Sequence, residues 1–240
     1  MKKSKKIIIV IGASILVLGL ILFLFLYNNG YSGIHNHTEP KENQIKVACV
    51  GDSITYGHGI GNWTENNYPA RLQEILGDGY HVANFGHSGR TLSSDGDKPY
   101  TDSKQYQLSL EYNPDIVIIM LGTNDSKSKN WTSEIEFIKE YEKFVNSYKK
   151  NNPDVKIILC TPAKAFFPNG KNEGETNYKI QPSIVDLIRN EIRAFALLEK
   201  YELADIYNVT EYHDEWFKDN VHPNSDGAYA IAQEIAKKIK

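Results

Sequence analysis

The chain has 240 residues, 41% hydrophobic and 24% charged, with a formal net charge of −3. Setting aside the four lysines at its N-terminus leaves −7 on the remainder, which argues against nucleic acid or anionic lipid headgroups as partners. Its two cysteines, Cys49 and Cys160, each end an apolar strand-like run and read as small buried hydrophobes.

Met1–Lys6 carries the four lysines, and Ile7–Tyr27 then runs without a charge. As a helix at about 1.5 Å per residue this run matches the hydrocarbon thickness of a bilayer. No lysine follows it until Lys41, so the positive-inside bias sets the N-terminus in the cytoplasm and the rest outside. A cleaved secretory signal is the other reading. Its apolar core is usually about 7–15 residues long and ends in a small-x-small site, and neither is evident here. Either way the domain is exported. Residues 1–27 are thus expected to be a lysine-rich start and single-pass transmembrane anchor, and 28–44 (NNGYSGIHNHTEPKENQ) a polar linker. Residues 45–240 form one domain with a sizeable core.

Five short apolar runs follow: residues 45–50, 80–85, 115–121, 155–160 and 203–207. The third is continuously apolar, as a strand covered on both faces should be. Helical patterns separate them. Residues 68–76 have Pro69 near the start and Gly77 after the end. Residues 133–150 place Ile135, Ile138, Tyr141, Val145 and Tyr148 at helical spacing, and 183–200 and 225–239 repeat the pattern. Strands alternating with helices imply parallel pairing by right-handed crossovers. The expected fold is a three-layer α/β/α sandwich around a flavodoxin-like five-stranded parallel sheet in order 2-1-3-4-5. One strand then separates Cys49 from Cys160, which puts them beyond disulfide reach. The segment 163–181, rich in Gly and Asn, is long enough either to line a site or to be disordered.

Open α/β sheets bind ligands at the carboxyl ends of their strands, where the strand order reverses. Strand 1 ends there in Gly51-Asp52-Ser53 and strand 3 in Gly122-Thr123-Asn124-Asp125. Strand 2 ends beside them in Asn84-Phe85-Gly86-His87-Ser88-Gly89-Arg90, and Asp219-Asn220-Val221-His222-Pro223 leads into the last helix from the same edge. A serine hydroxyl needs a base to take its proton. His222 is the available base, and Asp219, three residues earlier, can hold its other ring nitrogen. Gly89, the Asn124 amide and the Ser53 N–H supply donors for an oxyanion.

Bland readings exist for each piece. Gly-Asp-Ser is a common turn, and Gly-Thr-Asn-Asp serves equally as turn and N-cap. Their order and common placement make a hydrolase site the better account. Ser88 fails as a nucleophile elbow because Arg90 takes the place of the final glycine. Residues 57–61 (GHGIG) mimic a dinucleotide loop but start too far past strand 1, and read as a site rim. His35, His37, His58, His81, His87 and His213 show no paired metal-ligand spacing, so neither metal nor other cofactor is implied.

Gly51-Asp52-Ser53-Ile54-Thr55, Asn84-x-Gly86-x-Ser88-Gly89, Gly122-Thr123-Asn124-Asp125 and Asp219-x-x-His222-Pro223 resemble, in order and spacing, the four blocks of the SGNH/GDSL hydrolases. The resemblance implies the SGNH hydrolase fold and a metal-independent serine esterase working through an acyl-enzyme. Ser53 would be its nucleophile, His222 its base and Asp219 the partner of that base. Gly89 and Asn124 would complete an oxyanion hole with the Ser53 amide. Residues 121–131 (LGTNDSKSKNW) and 96–100 (GDKPY) are similar to the sialate O-acetylesterase-like branch, which implies removal of acetyl groups from carbohydrates. Tyr56, Trp63, Trp131 and Trp216 are candidate sugar-binding aromatics at the rim, with packing at loop bases as the even alternative. Arg90 is a candidate for an acidic sugar or for a structural tie to a carboxylate. The rival functions are an extracellular O-acyltransferase acting on cell-wall glycan, a lysophospholipase or thioesterase, and an inactive glycan-binding module.

Overall fold

The computed structural model describes residues 2–33, 35 and 38–240, without the side chains of residues 2–11 and 169. His37 therefore lies outside the described residues, as do Met1 and the side chains of the N-terminal lysines.

Five parallel strands form one sheet: β1 (Ile45–Gly51), β2 (Tyr80–Gly86), β3 (Ile116–Met120), β4 (Lys156–Cys160) and β5 (Glu202–Ala204). Their order is β2-β1-β3-β4-β5, as expected from the alternation of strands and helices. Side chains alternate across the sheet and divide the core in two. Val47, Cys49, Ile116, Ile118, Met120, Ile158 and Cys160 face α4 (Tyr68–Leu76) and α9 (Ser225–Ile239). Ala48, Val50, Val117, Ile119, Leu121, Ile157 and Leu159 face α6 (Glu134–Asn151) and α7 (Pro182–Glu199). All five residues of β3 are buried, which explains its unbroken apolar run. Each such isoleucine removed from water stabilises the fold by about 1.5–3 kcal/mol. Cys49 and Cys160 are both free and buried on strands separated by β3.

Three expectations need correction. Strand β5 is only Glu202–Ala204, because the Asp205 carboxylate caps the Asn208 N–H and turns the chain into α8 (Ile206–Thr210). In α6 the buried stripe is Phe137, Tyr141, Phe144, Val145 and Tyr148, whereas Ile135 points to solvent in the first turn, before the helix meets the sheet. An unforeseen helix, α5 (Lys104–Glu111), packs partly through polar groups: Gln105 and Ser109 are buried, and Ser109 Oγ lies 2.6 Å from the Tyr148 hydroxyl.

Helix α1 (Lys2–Asn28) projects the apolar side chains from Ile15 to Phe25 into solvent. Among the described residues no helix is long and apolar enough to cross a membrane. The segment after α1 lies on the domain. Gly59 N–H donates to Asn29 O (3.0 Å), the Tyr31 ring meets His58, and Thr38 Oγ1 lies 2.9 Å from His81 Nε2.

Candidate active site

Close backbone packing at the carboxyl edge of the sheet explains two of the glycine positions in the sequence blocks. A Cβ on Gly51 would stand 2.0 Å from Thr55 Oγ1 and 2.6 Å from Met120 O, and one on Gly86 would stand 2.2 Å from Tyr56 N. Only glycine lets α2 (Ser53–Tyr56) start directly above β1 and against β2. Asp52 caps that helix by accepting from Ile54 N–H (3.0 Å), which fixes the backbone on either side of Ser53.

Ser53 and His222 meet across 169 positions of sequence, with Ser53 Oγ and His222 Nε2 2.8 Å apart. His222 Nδ1 is 2.8 Å from Asp219 Oδ2, while Asp219 Oδ1 accepts from the backbone N–H groups of Val221 (3.0 Å) and His222 (2.8 Å). Burial works against the Asp219 charge, but its bonds and attraction to His222 and the two backbone donors outweigh burial and hold the carboxyl down to about 2. An ionised Asp219 can only accept, so Nδ1 of His222 is the donor, and the tautomer this fixes leaves Nε2 to face the Ser53 hydroxyl. Pro223 and the Asn224 cap, which accepts from Asp226 and Gly227 N–H, begin α9 immediately afterwards. Ser53 and His222 are each within a tenth of full burial.

A hollow of about 100 Å³ opens over this line, walled by Ser53, Gly89, Asn124, His58, Tyr178 and His222 among others. Gly89 adopts φ +80°, a left-handed conformation suited to glycine. The Asn124 amide donates to Arg90 O (3.1 Å) and, at 3.4 Å, to Asp52 Oδ2. Asn130 supports it from behind, donating to Asn124 O and Asp97 Oδ1, both at 2.9 Å. The two branch-like segments, 96–100 and 121–131, therefore meet each other through Asp97 and Asn130 beside Asn124. Asp125 holds the other side of the strand 2 loop, accepting from Leu92 and Ser93 N–H at 2.9 Å each.

The aromatic and cationic candidates fare differently. Trp63 is a core residue, 3% exposed and stacked on the equally buried Tyr56 (4.4 Å between ring centroids), so neither lies at the rim. Trp63 opens the short helix α3 (Trp63–Asn66) and lines none of the hollow. Trp131 packs on Phe137 at the base of its loop, again away from the hollow. Arg90 donates to Pro99 O (3.2 Å) and lies 3.4 Å from His87 Nε2, so its tie is to a carbonyl and not to a carboxylate. Trp216 does stand at the rim, in a second cleft beside His222. Three titratable residues that line the hollow had no role assigned from the sequence. His58, which the sequence offered with His87 as a histidine that could line the pocket, lies 4.6 Å from His222 between ring centroids. Tyr178, in the long 163–181 segment, meets the His222 ring edge-on at 4.8 Å, and burial together with the nearby Asp219 carboxylate raises its hydroxyl above the ordinary tyrosine range. Lys127 follows Asn124 on the far wall. The length of the segment was the available signal for Tyr178.

A serine bonded to an imidazole that is bonded to a carboxylate, set on the topological switch of an α/β sheet, defines a serine hydrolase site. Residues 49–230 match the GDSL-like Lipase/Acylhydrolase family, and the chain belongs to that family. Among curated proteins the chain is 36% identical over 222 residues to an acetylxylan esterase of Xylanibacter ruminicola, a match covering 84% of this chain and 44% of that protein. It is 23% identical over 225 residues to the cellulase/esterase CelE of Acetivibrio thermocellus, covering 84% of this chain and 26% of that one. The chain thus spans less than half the length of either relative. The fold is shared with Est24, a carbohydrate acetylesterase from Sinorhizobium meliloti (TM-score 0.66, 24% identity, 82% of this chain and 98% of that chain). It is shared also with the acetyl xylan esterase AlAXEase (TM-score 0.63, 23% identity, 82% and 100%).

Proposed function

We propose that the chain is a serine esterase that removes O-acetyl groups from carbohydrate through an acyl-enzyme. The observation that carries this reading is the unbroken line Asp219–His222–Ser53, with both bonds at 2.8 Å, opening into a hollow with room for a short acyl group. His222 Nε2 takes the Ser53 proton as Oγ bonds the ester carbon. The carbonyl electron pair moves onto oxygen, which the N–H groups of Ser53 and Gly89 and the Asn124 amide receive. The long 3.4 Å contact of Asn124 to Asp52 is its weaker bond, and that proton is the one available to an oxyanion. The tetrahedral species collapses as the C–O bond to the sugar breaks and Nε2–H returns its proton to the leaving oxygen. Water, deprotonated by His222, repeats the cycle on the acyl-Ser53 and releases acetate. The acetylxylan esterase relative supports an acetylated plant polysaccharide as substrate.

The uncharged Ile7–Tyr27 run, whose side chains are described only from Gly12 onward, follows four lysines and supports retention on a membrane with the domain exported. The anchor is then residues 1–27, with the hydrolase domain from residue 45 onward. Acetate release from acetylated xylo-oligosaccharides by the full chain tests the activity. Release that disappears in Ser53→Ala supports it, and absence of release alongside turnover of simple acetate esters would remove the carbohydrate assignment.

A further inference from the structure

The direction of the reaction places the leaving group. In the tetrahedral species the oxyanion points at Gly89 and Asn124, and the leaving oxygen must come within hydrogen-bond reach of His222 Nε2 to receive its proton. The alcohol part of the ester therefore lies on the His222 side of the hollow. The hollow itself, at about 100 Å³, is half the volume of the cleft on that side.

On that side a second cleft of about 200 Å³ is lined by Tyr31, His58, Trp216, Lys218, Asp219 and His222, among others. It shares His58 and His222 with the acyl hollow, so the two imidazoles form the wall between them. Tyr31 and Trp216 supply aromatic surface, and Lys218 and Asp219 supply polar groups for hydroxyls. That combination is the one a pyranose ring, apolar on its C–H faces and polar at its edge, requires.

Tyr31 is not a loose residue of a linker. Its N–H donates to Leu26 O (2.8 Å) at the end of α1, and the neighbouring Asn29 O accepts from Gly59 N–H (3.0 Å). Gly30, at φ +68°, sits so close to the rim loop that a Cβ would stand 2.3 Å from Gly57 O. The Tyr31 ring meets His58 edge-on at 4.7 Å while remaining about half exposed. Trp216 is fixed from its other side by His213, whose ring lies parallel at 3.8 Å.

We infer that this cleft is the subsite for the sugar that carries the ester, and that Tyr31 of the N-terminal segment is a specificity-determining residue. The inference rests on the carbohydrate reading above and adds a contribution from outside residues 49–230, the part that matches the family. Recognition of the saccharide then depends on the segment that joins the domain to α1.

The test compares kcat/KM for an acetylated xylo-oligosaccharide with kcat/KM for ethyl acetate, whose leaving group is too short to reach Tyr31, using the full chain. In Tyr31→Ala the ratio of the two is expected to fall at least fivefold, and in Tyr31→Phe, which keeps the ring, to stay above that threshold. A smaller fall in Tyr31→Ala, or a fall in Tyr31→Phe beyond the same threshold, overturns the inference. Should the unaltered protein hydrolyse ethyl acetate but no acetylated saccharide, the carbohydrate reading fails and the subsite with it. Should it hydrolyse both with Tyr31→Ala unaffected, the subsite alone fails.

Discussion

The imidazole of His58 lies against that of His222, ring centroids 4.6 Å apart and planes tilted by 48°. Two imidazoles this close cannot both carry a proton cheaply. Burial, followed by repulsion from His222, pushes His58 down to about 4, against a weaker opposing pull from Asp219. His58 is then neutral at pH 7 and leaves His222 free to accept the serine proton. Titration of the His58 ring protons by NMR should give a midpoint near 4, and a midpoint at or above the ordinary 6.5 would contradict this arrangement. A permanent charge at the same place, in His58→Arg, should lower kcat/KM at pH 7 by roughly fivefold or more, since a like charge about 5 Å away costs at least about 1 kcal/mol.

Asp219 orients His222 with one carboxylate oxygen and holds its own loop with the other. Asp219→Asn keeps one acceptor but offers His222 Nδ1 no charge and invites the wrong tautomer. We expect kcat to fall by between about 10² and 10⁴ with little change in KM, and the folded domain to persist by circular dichroism. A variant with near-normal kcat would remove Asp219 from the mechanism.

In the proposed mechanism Asn124→Ala deletes a side-chain donor to the developing charge. The expected loss is about 10²-fold in kcat, with KM nearly unchanged. A change confined to KM would show that Asn124 binds the ground state instead.

Asp125 is buried, and burial raises its carboxyl to about 6 despite the bonds from Ser93 and Leu92 N–H. A folded value above the ordinary 3.8 means that the folded state holds the proton more tightly than the unfolded chain does. Its contribution is therefore fully present below about 3.8 and is lost as pH rises through about 6. Measured by urea unfolding at pH 4 and pH 7, the stability of the protein relative to Asp125→Asn should decline with rising pH by up to about 3 kcal/mol. A difference that is flat or grows with pH would contradict the assignment.

Much of this site could be read from the chain. Strands β1 to β4 fall within about a residue of their apolar runs, and α4 matches its proline and glycine punctuation. The strand-end clusters carrying Ser53, Gly89, Asn124 and His222 converge because a parallel sheet gathers its loops at one edge, which the strand order already implies. What escaped was set by tertiary contact. Trp63 reads as a rim residue because its neighbours are glycines and polar side chains, yet it is captured by Tyr56 and the core behind it. Helix α5 hides because its inward face uses Gln105 and Ser109, which carry no apolar period. Tyr31, His58 and Tyr178 come from three separate segments with no shared spacing, and only folding brings their rings around His222 and its neighbour.

The most direct measurement concerns the Ser53 hydroxyl. The full chain would be treated at pH 7 with a small phosphonofluoridate, digested, and its peptides weighed. We expect one phosphonyl adduct, on Ser53, appearing in step with loss of esterase activity, and neither adduct nor activity in Ser53→Ala. An adduct on another serine, or esterase activity that survives full modification of Ser53, would contradict the account.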